Sequence, residues 1–345
     1  MNTSNALRQT FAAALTAVIG LGFSVEASAQ SVTTTPVGAV TVTIGVGVNP
    51  LAVNMLRPAV FSANVSAVNA AILTIQGQVN VGAQLAADEP YYIEIYSGAL
   101  KGDRFDVDVP ATISLGNGTL VVSASSANNT VSFQDYCAAL LNAKIVLRKH
   151  ITLSDIQAAS SVALVGNNDA ALADRVQLYD TESNSYTTYY LRSNGVDWRQ
   201  LGSTQQLAKK PIVPGVGVFF TKQNSPCTLT FLGEVSVNDF ALVWYSGNQL
   251  VSYPWPMDVS PMSLGATQAN GWVGNNSFAL ADQIQVYNVQ NRAYDTYFLR
   301  GDGLKWRMAG TTTEVTSIPV VASTQSFFVR RNTADDNYIL MNPIN

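Results

Sequence analysis

An internal repeat constrains this chain more than any other feature of its sequence. Val165-Gly166-Asn167-Asn168 returns 108 residues later as Val273-Gly274-Asn275-Asn276. Ala171-Leu172-Ala173-Asp174 returns as Ala279-Leu280-Ala281-Asp282. Tyr186, Tyr189, Leu191, Arg192, Gly195, Trp198 and Arg199 return as Tyr294, Tyr297, Leu299, Arg300, Gly303, Trp306 and Arg307. Between positions 165 and 199, 18 of 35 residues are identical without a gap, which is too many for chance and implies duplication. The same register sets Pro211 against Pro319, Phe219-Phe220 against Phe327-Phe328, Ile151 against Val259, and Tyr136 against Trp244. Two copies are too few for a solenoid, and each is long enough to bury a core of its own.

The repeat divides the chain into a leader (1–29), a unique N-terminal β domain (30–129), a first β repeat (130–235) and a second (236–345). Both copies read as strands. Val176 and Leu178 alternate with polar neighbours, as do Ile284 and Val286, the period-2 pattern of a half-buried strand. Asn194-Gly195 and Asp302-Gly303 mark tight turns before the strands that carry Trp198 and Trp306. In the N-terminal segment, 40–44, 64–68, 72–76, 91–96, 105–109 and 119–123 read as strands, and Gly116-Asn117-Gly118 as a turn between two of them. Short helices are expected near 133–144 and 204–210. The expected fold class is all-β: an N-terminal β domain, then two tandem, homologous antiparallel sandwich or barrel-like domains.

Several short motifs occur in a characteristic order. Thr33-Thr34-Thr35-Pro36-Val37-Gly38 precedes a strand, followed by Leu56-Arg57-Pro58-Ala59-Val60-Phe61, and then by Tyr91–Tyr96 with Ser97-Gly98 and Lys101-Gly102. The repeats supply Ala-Asp, Tyr, Tyr-x-x-Arg and Gly-x-x-Trp-Arg. Together these resemble an uncharacterised family of exported β-rich proteins of Verrucomicrobia and related bacteria. The resemblance implies an exported bacterial β protein and brings no catalytic residues with it.

The first 29 residues read as a secretory leader, with Arg8 as a weak basic start, an apolar run from Phe11 to Val25, and Ala27-Ser28-Ala29 before Gln30. The run is shorter than the ~20 residues a spanning helix needs, and no other stretch is long enough, so no transmembrane segment is expected. The protein is then extracellular, on the cell surface or periplasmic. In an oxidising compartment, Cys137 and Cys227 are either a disulfide or two buried thiols. Charged residues make up only 12% of the chain, with a net charge of −4, so nucleic acid is excluded as a partner.

Chemistry is sparse. His150 is the sole histidine, and no Gly-x-Ser-x-Gly elbow or phosphate-binding loop accompanies it, so no cofactor or metal is expected. Asp174 and Asp282 are equivalent across the repeat, which suits one structural carboxylate per copy better than a shared acid pair. Arg192 with Arg199, and Arg300 with Arg307, are expected either to pair with these aspartates or to stack on the tryptophans. Trp198-Arg199 and Trp306-Arg307 are the candidate ligand-binding residues, since flat indole faces suit sugars, although the same rings fill cores equally well. The expected function is that of an exported, non-enzymatic structural or cell-surface protein, associating with itself or with a surface component. The alternative is a carbohydrate- or ligand-binding β module with a glycan partner.

Overall fold

The structure, a computed structural model, describes residues 35–123 and 133–344. Residues 1–29, expected from the sequence to be a secretory leader, lie outside the described residues. The strands of the first part are Val37–Ile44 (β1), Gly47–Leu51 (β2), Ala59–Asn69 (β3), Ile72–Ile75 (β4), Tyr91–Ile95 (β5), Arg104–Asp106 (β6), Thr119–Val121 (β7), Lys144–Lys149 (β8) and Ile151–Thr152 (β9). Then follow Arg175–Asp180 (β10), Ser185–Leu191 (β11), Trp198–Gln200 (β12), Pro211–Ile212 (β13), Val218–Lys222 (β14) and Cys227–Glu234 (β15). The last are Phe240–Trp244 (β16), Gly247–Val251 (β17), Gln283–Asn288 (β18), Ala293–Leu299 (β19), Trp306–Met308 (β20), Phe327–Arg331 (β21) and Asp335–Leu340 (β22). Among the described residues three short α-helices interrupt them: Val109–Leu115 (α1), Phe133–Ala138 (α2) and Leu153–Ala158 (α3). The fold is all-β, as the periodicity predicts.

Two sheets share one strand order. The first runs β12-β11-β10-β14-β2 and the second β20-β19-β18-β21-β17. Each is accompanied by a two-stranded antiparallel ribbon, β1-β15 and β16-β22. The first sheet therefore takes its edge strand, and its ribbon, from residues 37–51. The expected boundaries at 129/130 and 235/236 need correction for this reason. The first copy is discontinuous: it consists of residues from 37 to about 56, resumes near 150, and ends at β15. Between these pieces lies a six-stranded sheet, β6-β5-β8-β3-β4-β7, with its own apolar core around Val65, Ile93, Phe105 and Leu147. Thr35–Asn345 form one compact unit rather than a string of separate domains.

The correspondence between the copies changes offset along the chain. Gly47 (φ +99°) and Gly247 (φ +100°) occupy the same left-handed position in the turn entering β2 and β17. Beyond each, Asn49 or Gln249 braces the turn: the Gly45 N–H donates to Asn49 Oδ1 (2.9 Å), and the Tyr245 N–H to Gln249 Oε1 (3.3 Å). The offset here is 200, so Ile44, not Tyr136, stands against Trp244. From β13 onward the offset becomes 109, because Val176 pairs with Phe220 while Ile284 pairs with Val329. Phe219 therefore corresponds to Phe328, one residue away from the sequence register.

The two copies meet through a small apolar cluster of Phe219, Leu250 and Phe328, flanked by Tyr179 and Tyr287. Its contacts are reciprocal. Tyr179 lies edge-on to Phe328 (5.0 Å, 89°) and Tyr287 edge-on to Phe219 (5.8 Å, 86°). Tyr186 meets Phe219 (6.0 Å, 69°) and Tyr294 meets Phe328 (5.8 Å, 69°). Edge-to-face geometry suits the aromatic quadrupole. Backbone bonds obey the same pseudo-two-fold: the Ala52 N–H donates to Thr324 O and the Ser252 N–H to Gly215 O, both at 2.9 Å.

Local chemistry explains the helices. Asp108 caps α1 by accepting from the Ala111 N–H (3.0 Å), Pro110 sits in the first turn, and Gly116 ends the helix at φ +60°. The expected strand at 105–109 therefore stops at Asp106, and Gly116-Asn117-Gly118 joins a helix to a strand. The helix expected at 204–210 is a pair of turns around a single bridge, Arg199 to Gln206.

Candidate functional site

All five tryptophans are at most 1% exposed. Trp198 packs in the first copy's core, and its Nε1–H donates to Gln157 Oε1 (3.0 Å). Trp306 packs in the second copy's core and donates to the Ala266 carbonyl. Neither indole face can meet a sugar, which corrects the proposal of Trp198 and Trp306 as ligand-binding residues. Arg199 and Arg307 are half-buried beside them, and each Nε lacks a hydrogen-bond partner among the described residues. Trp244, Trp272 and Trp306 form a further edge-to-face series at 5.8 and 5.6 Å, with Tyr338 against Trp244 at 5.7 Å.

Asp174 and Asp282 are fully buried, one in each copy. Asp174 Oδ2 contacts Lys222 Nζ at 2.8 Å and accepts the Val165 N–H at 2.8 Å, and Oδ1 accepts the Gln223 N–H at 2.8 Å. Asp282 repeats the arrangement with Arg331 Nε (2.9 Å), the Val273 N–H (2.9 Å) and the Asn332 N–H (2.8 Å). The expected arginines at 192, 199, 300 and 307 are not the partners. Lys222 and Arg331 give no repeat signal in the sequence, because their types differ and their offset is 109. The aspartates fasten the start of β10 or β18 to the end of β14 or β21, and do not share a cleft.

A second buried cluster joins the inserted sheet to the rest. Glu94, fully buried on β5, contacts Arg104 Nη2 (3.0 Å) and Arg148 Nε (3.3 Å). Arg148 also ion-pairs with Glu234 at the end of β15 and donates to the Arg57 carbonyl (2.8 Å). The Arg104 guanidinium lies 3.6 Å over the Phe240 ring of β16. Burial opposes the Arg148 charge, but Glu94 and the hydrogen bond to Glu234 raise its pKa above the ordinary arginine range. Burial, with Glu94 adding to it, also pushes Tyr92 up. Asn238 Nδ2 donates to the Ile95 carbonyl (2.7 Å), and Lys101 pairs with Asp239 (2.8 Å).

His150 is buried, with Nε2 2.9 Å from Asp106 Oδ1 and its ring 4.6 Å from that of Tyr92. No nucleophilic hydroxyl or thiol hydrogen-bonds to it among the described residues. It lines a hollow of about 300 Å³ with Arg57, Glu89, Lys149 and Asp155, in which Arg57 is already paired with Asp155, and Glu89 with Lys209. A more open groove of about 640 Å³ lies on the second copy, between Met262, Asn270, Tyr338 and Met341.

Cys137 and Cys227 are free, buried thiols in different cores, the inserted sheet's and the first copy's, which is the second of the two alternatives left open by the sequence. Burial raises the Cys137 pKa. Among the described residues no three His, Cys, Asp or Glu side chains form a metal-holding group, and no helix is long and apolar enough to cross a membrane. Comparison with protein-family models, curated proteins and solved structures found no match to this chain.

Proposed function

We propose that the protein is an exported, non-enzymatic structural or cell-surface component that acts by associating through its β layers. The observation that carries this reading is the use made of the ionisable groups. Asp174, Asp282, Glu94, Arg104, Arg148, Lys222 and Arg331 are buried and fasten strands to one another. A hydrolase acting through paired carboxylates would instead direct them into one cleft. The 12% charge content supports the reading from outside, since it leaves sheet edges and faces with little repulsion between copies. The leader ahead of Gln30 supports export.

The test is light scattering coupled to size exclusion on the purified protein over a wide concentration range, together with N-terminal sequencing of the secreted form. Assembly above the monomer, and a mature start near Gln30, are the expected results. A strict monomer at every concentration would overturn association as the mode of action.

A further inference from the structure

Most free strand edges in this protein are protected against pairing with another chain. β6, β7, β12 and β20 have three residues each, and β9 and β13 two. β2 contains Pro50, and β22 carries Asp335 and is bulged opposite β16. Short length, proline, charge and bulges are the usual means of blunting an edge. β15 has eight residues, but its outer side is bonded: the Ser161 N–H donates to Thr228 O (2.8 Å) and the Thr230 N–H to Ala159 O (2.9 Å).

β1 has none of these protections. It runs for eight residues, VGAVTVTI, without a charge, proline or bulge, in unbroken register with β15 from Val37–Glu234 to Ile44–Cys227. The Val235 N–H donates to the Pro36 carbonyl (2.8 Å), which fixes the phase of the ladder. Positions 38, 40, 42 and 44 therefore exchange bonds with β15, and the N–H and C=O groups of Val37, Ala39, Thr41 and Thr43 point away from it. No described backbone group meets them. Val37 is 78% exposed, and Leu232 beside this edge 71%.

In the second copy the same edge is met at one position. By the offset of 200, Ala241 of β16 stands where Thr41 stands in β1. The Ala241 N–H donates to Gly102 O (3.1 Å), on the turn between β5 and β6 of the inserted sheet. Gly102 (φ +95°) makes this approach feasible, since a Cβ there would lie 3.0 Å from Ala241 N. One insertion can cap only one of the two ribbons.

We propose that the open edge of β1 is closed by β1 of a second copy, antiparallel, about a two-fold axis through Val40. The inference rests on the associative reading above and names its partner and register. That register sets Val37 against Thr43 and Ala39 against Thr41, so every outward N–H and C=O between 37 and 43 finds a partner. It yields a four-stranded sheet, β15-β1-β1-β15, with no charge on either β1. The second copy is favoured as occupant because a strand without charge pairs with itself at no electrostatic cost and is closed by its own two-fold.

Two variants and one cross-link test it. Thr41→Pro removes an outward N–H while leaving the ladder to β15 intact, and Ala39→Lys places a charge at the junction. Each is expected to weaken dimerisation at least 100-fold in light scattering or sedimentation, with unchanged circular dichroism and a melting temperature that no longer rises with protein concentration. A mixture of Ala39→Cys and Thr41→Cys proteins is expected to form a disulfide dimer under mild oxidation, and neither alone to do so comparably. Dimers that persist in both folded variants would overturn the β1 edge and leave association through another surface. A wild-type monomer would overturn the associative reading as well. Dimers lost in both variants but never cross-linked in the mixture would overturn the register.

Discussion

The Asp174–Lys222 pair offers the sharpest test of the claim that this protein's buried charges are structural. Asp174→Ala would strand the Lys222 ammonium, whose side chain is 1% exposed, and remove the acceptor of two backbone N–H groups. An uncompensated buried charge costs about 3–5 kcal/mol. Each orphaned N–H adds about 1–3 kcal/mol, less where water follows into the space. At least about 4 kcal/mol is therefore expected, a large part of the ~5–15 kcal/mol that holds a typical protein together. Lys222→Met leaves the carboxylate two N–H donors and should cost less, about 3 kcal/mol. The double variant removes both charges, and its cost should fall short of the sum by about 2–3 kcal/mol. Urea unfolding at neutral pH, followed by the fluorescence of the five buried tryptophans, measures all four species. Asp282→Ala should be milder than Asp174→Ala, because Arg331 keeps a bond to the Gly271 carbonyl (2.7 Å) and lies 4.4 Å over the Trp272 ring. A cost below about 1 kcal/mol for Asp174→Ala, or a coupling near zero, would refute the reasoning.

Other consequences are equally open to measurement. Trp306→Ala should destabilise by about 3–5 kcal/mol in the same urea assay, and Trp306→Phe by clearly less, because the ring fills the second core. Burial pushes Tyr253 up to about 12, against the hydrogen bond to Ser263, and raises Tyr92, Tyr136 and Tyr186 further. A folded pKa above the unfolded one gives stability that is complete below about pH 10 and is lost as pH rises through the folded value. Absorbance at 295 nm should therefore show a delayed group of phenols ionising together with loss of the fold, and smooth independent titration would count against it. Thiol-reactive dye should label neither cysteine in the native protein and both after denaturation, and reduction should leave electrophoretic mobility unchanged.

Strand content and the duplication were legible because both rest on short-range signals. The alternation at Val176 and Leu178, and the Asn-Gly and Asp-Gly turns, repeat in register across 165–199. The partners of the repeated aspartates were not legible, because Lys222 and Arg331 share charge but not type and lie one residue out of that register. Trp198-Arg199 showed the reverse difficulty. A ring next to an arginine at equal positions has one appearance in sequence, whether it faces solvent or core. The α1 helix was readable in hindsight from Asp108, Pro110 and Gly116, but the apolar residues at 105, 107 and 109 carried a strand pattern into it.

The nested first copy was hidden because an insertion leaves no composition boundary, and physical reasons made this one easy to accept. β3 begins at Ala59 and β8 ends at Lys149, and Ala59 pairs with Arg148. The inserted sheet thus leaves and returns to its host at neighbouring positions, the arrangement that lets one domain enter another without stretching it. The host strands keep the order seen in the uninterrupted copy. The junction then gains Glu94, Arg104 and Arg148, which tie the new sheet to Glu234 and Phe240. Its turn at Gly102 reaches the edge of β16 and not that of β1. The two ribbons are in this way unequal: the edge of β16 is met within the chain at Ala241, and no described backbone group meets the outward groups of β1.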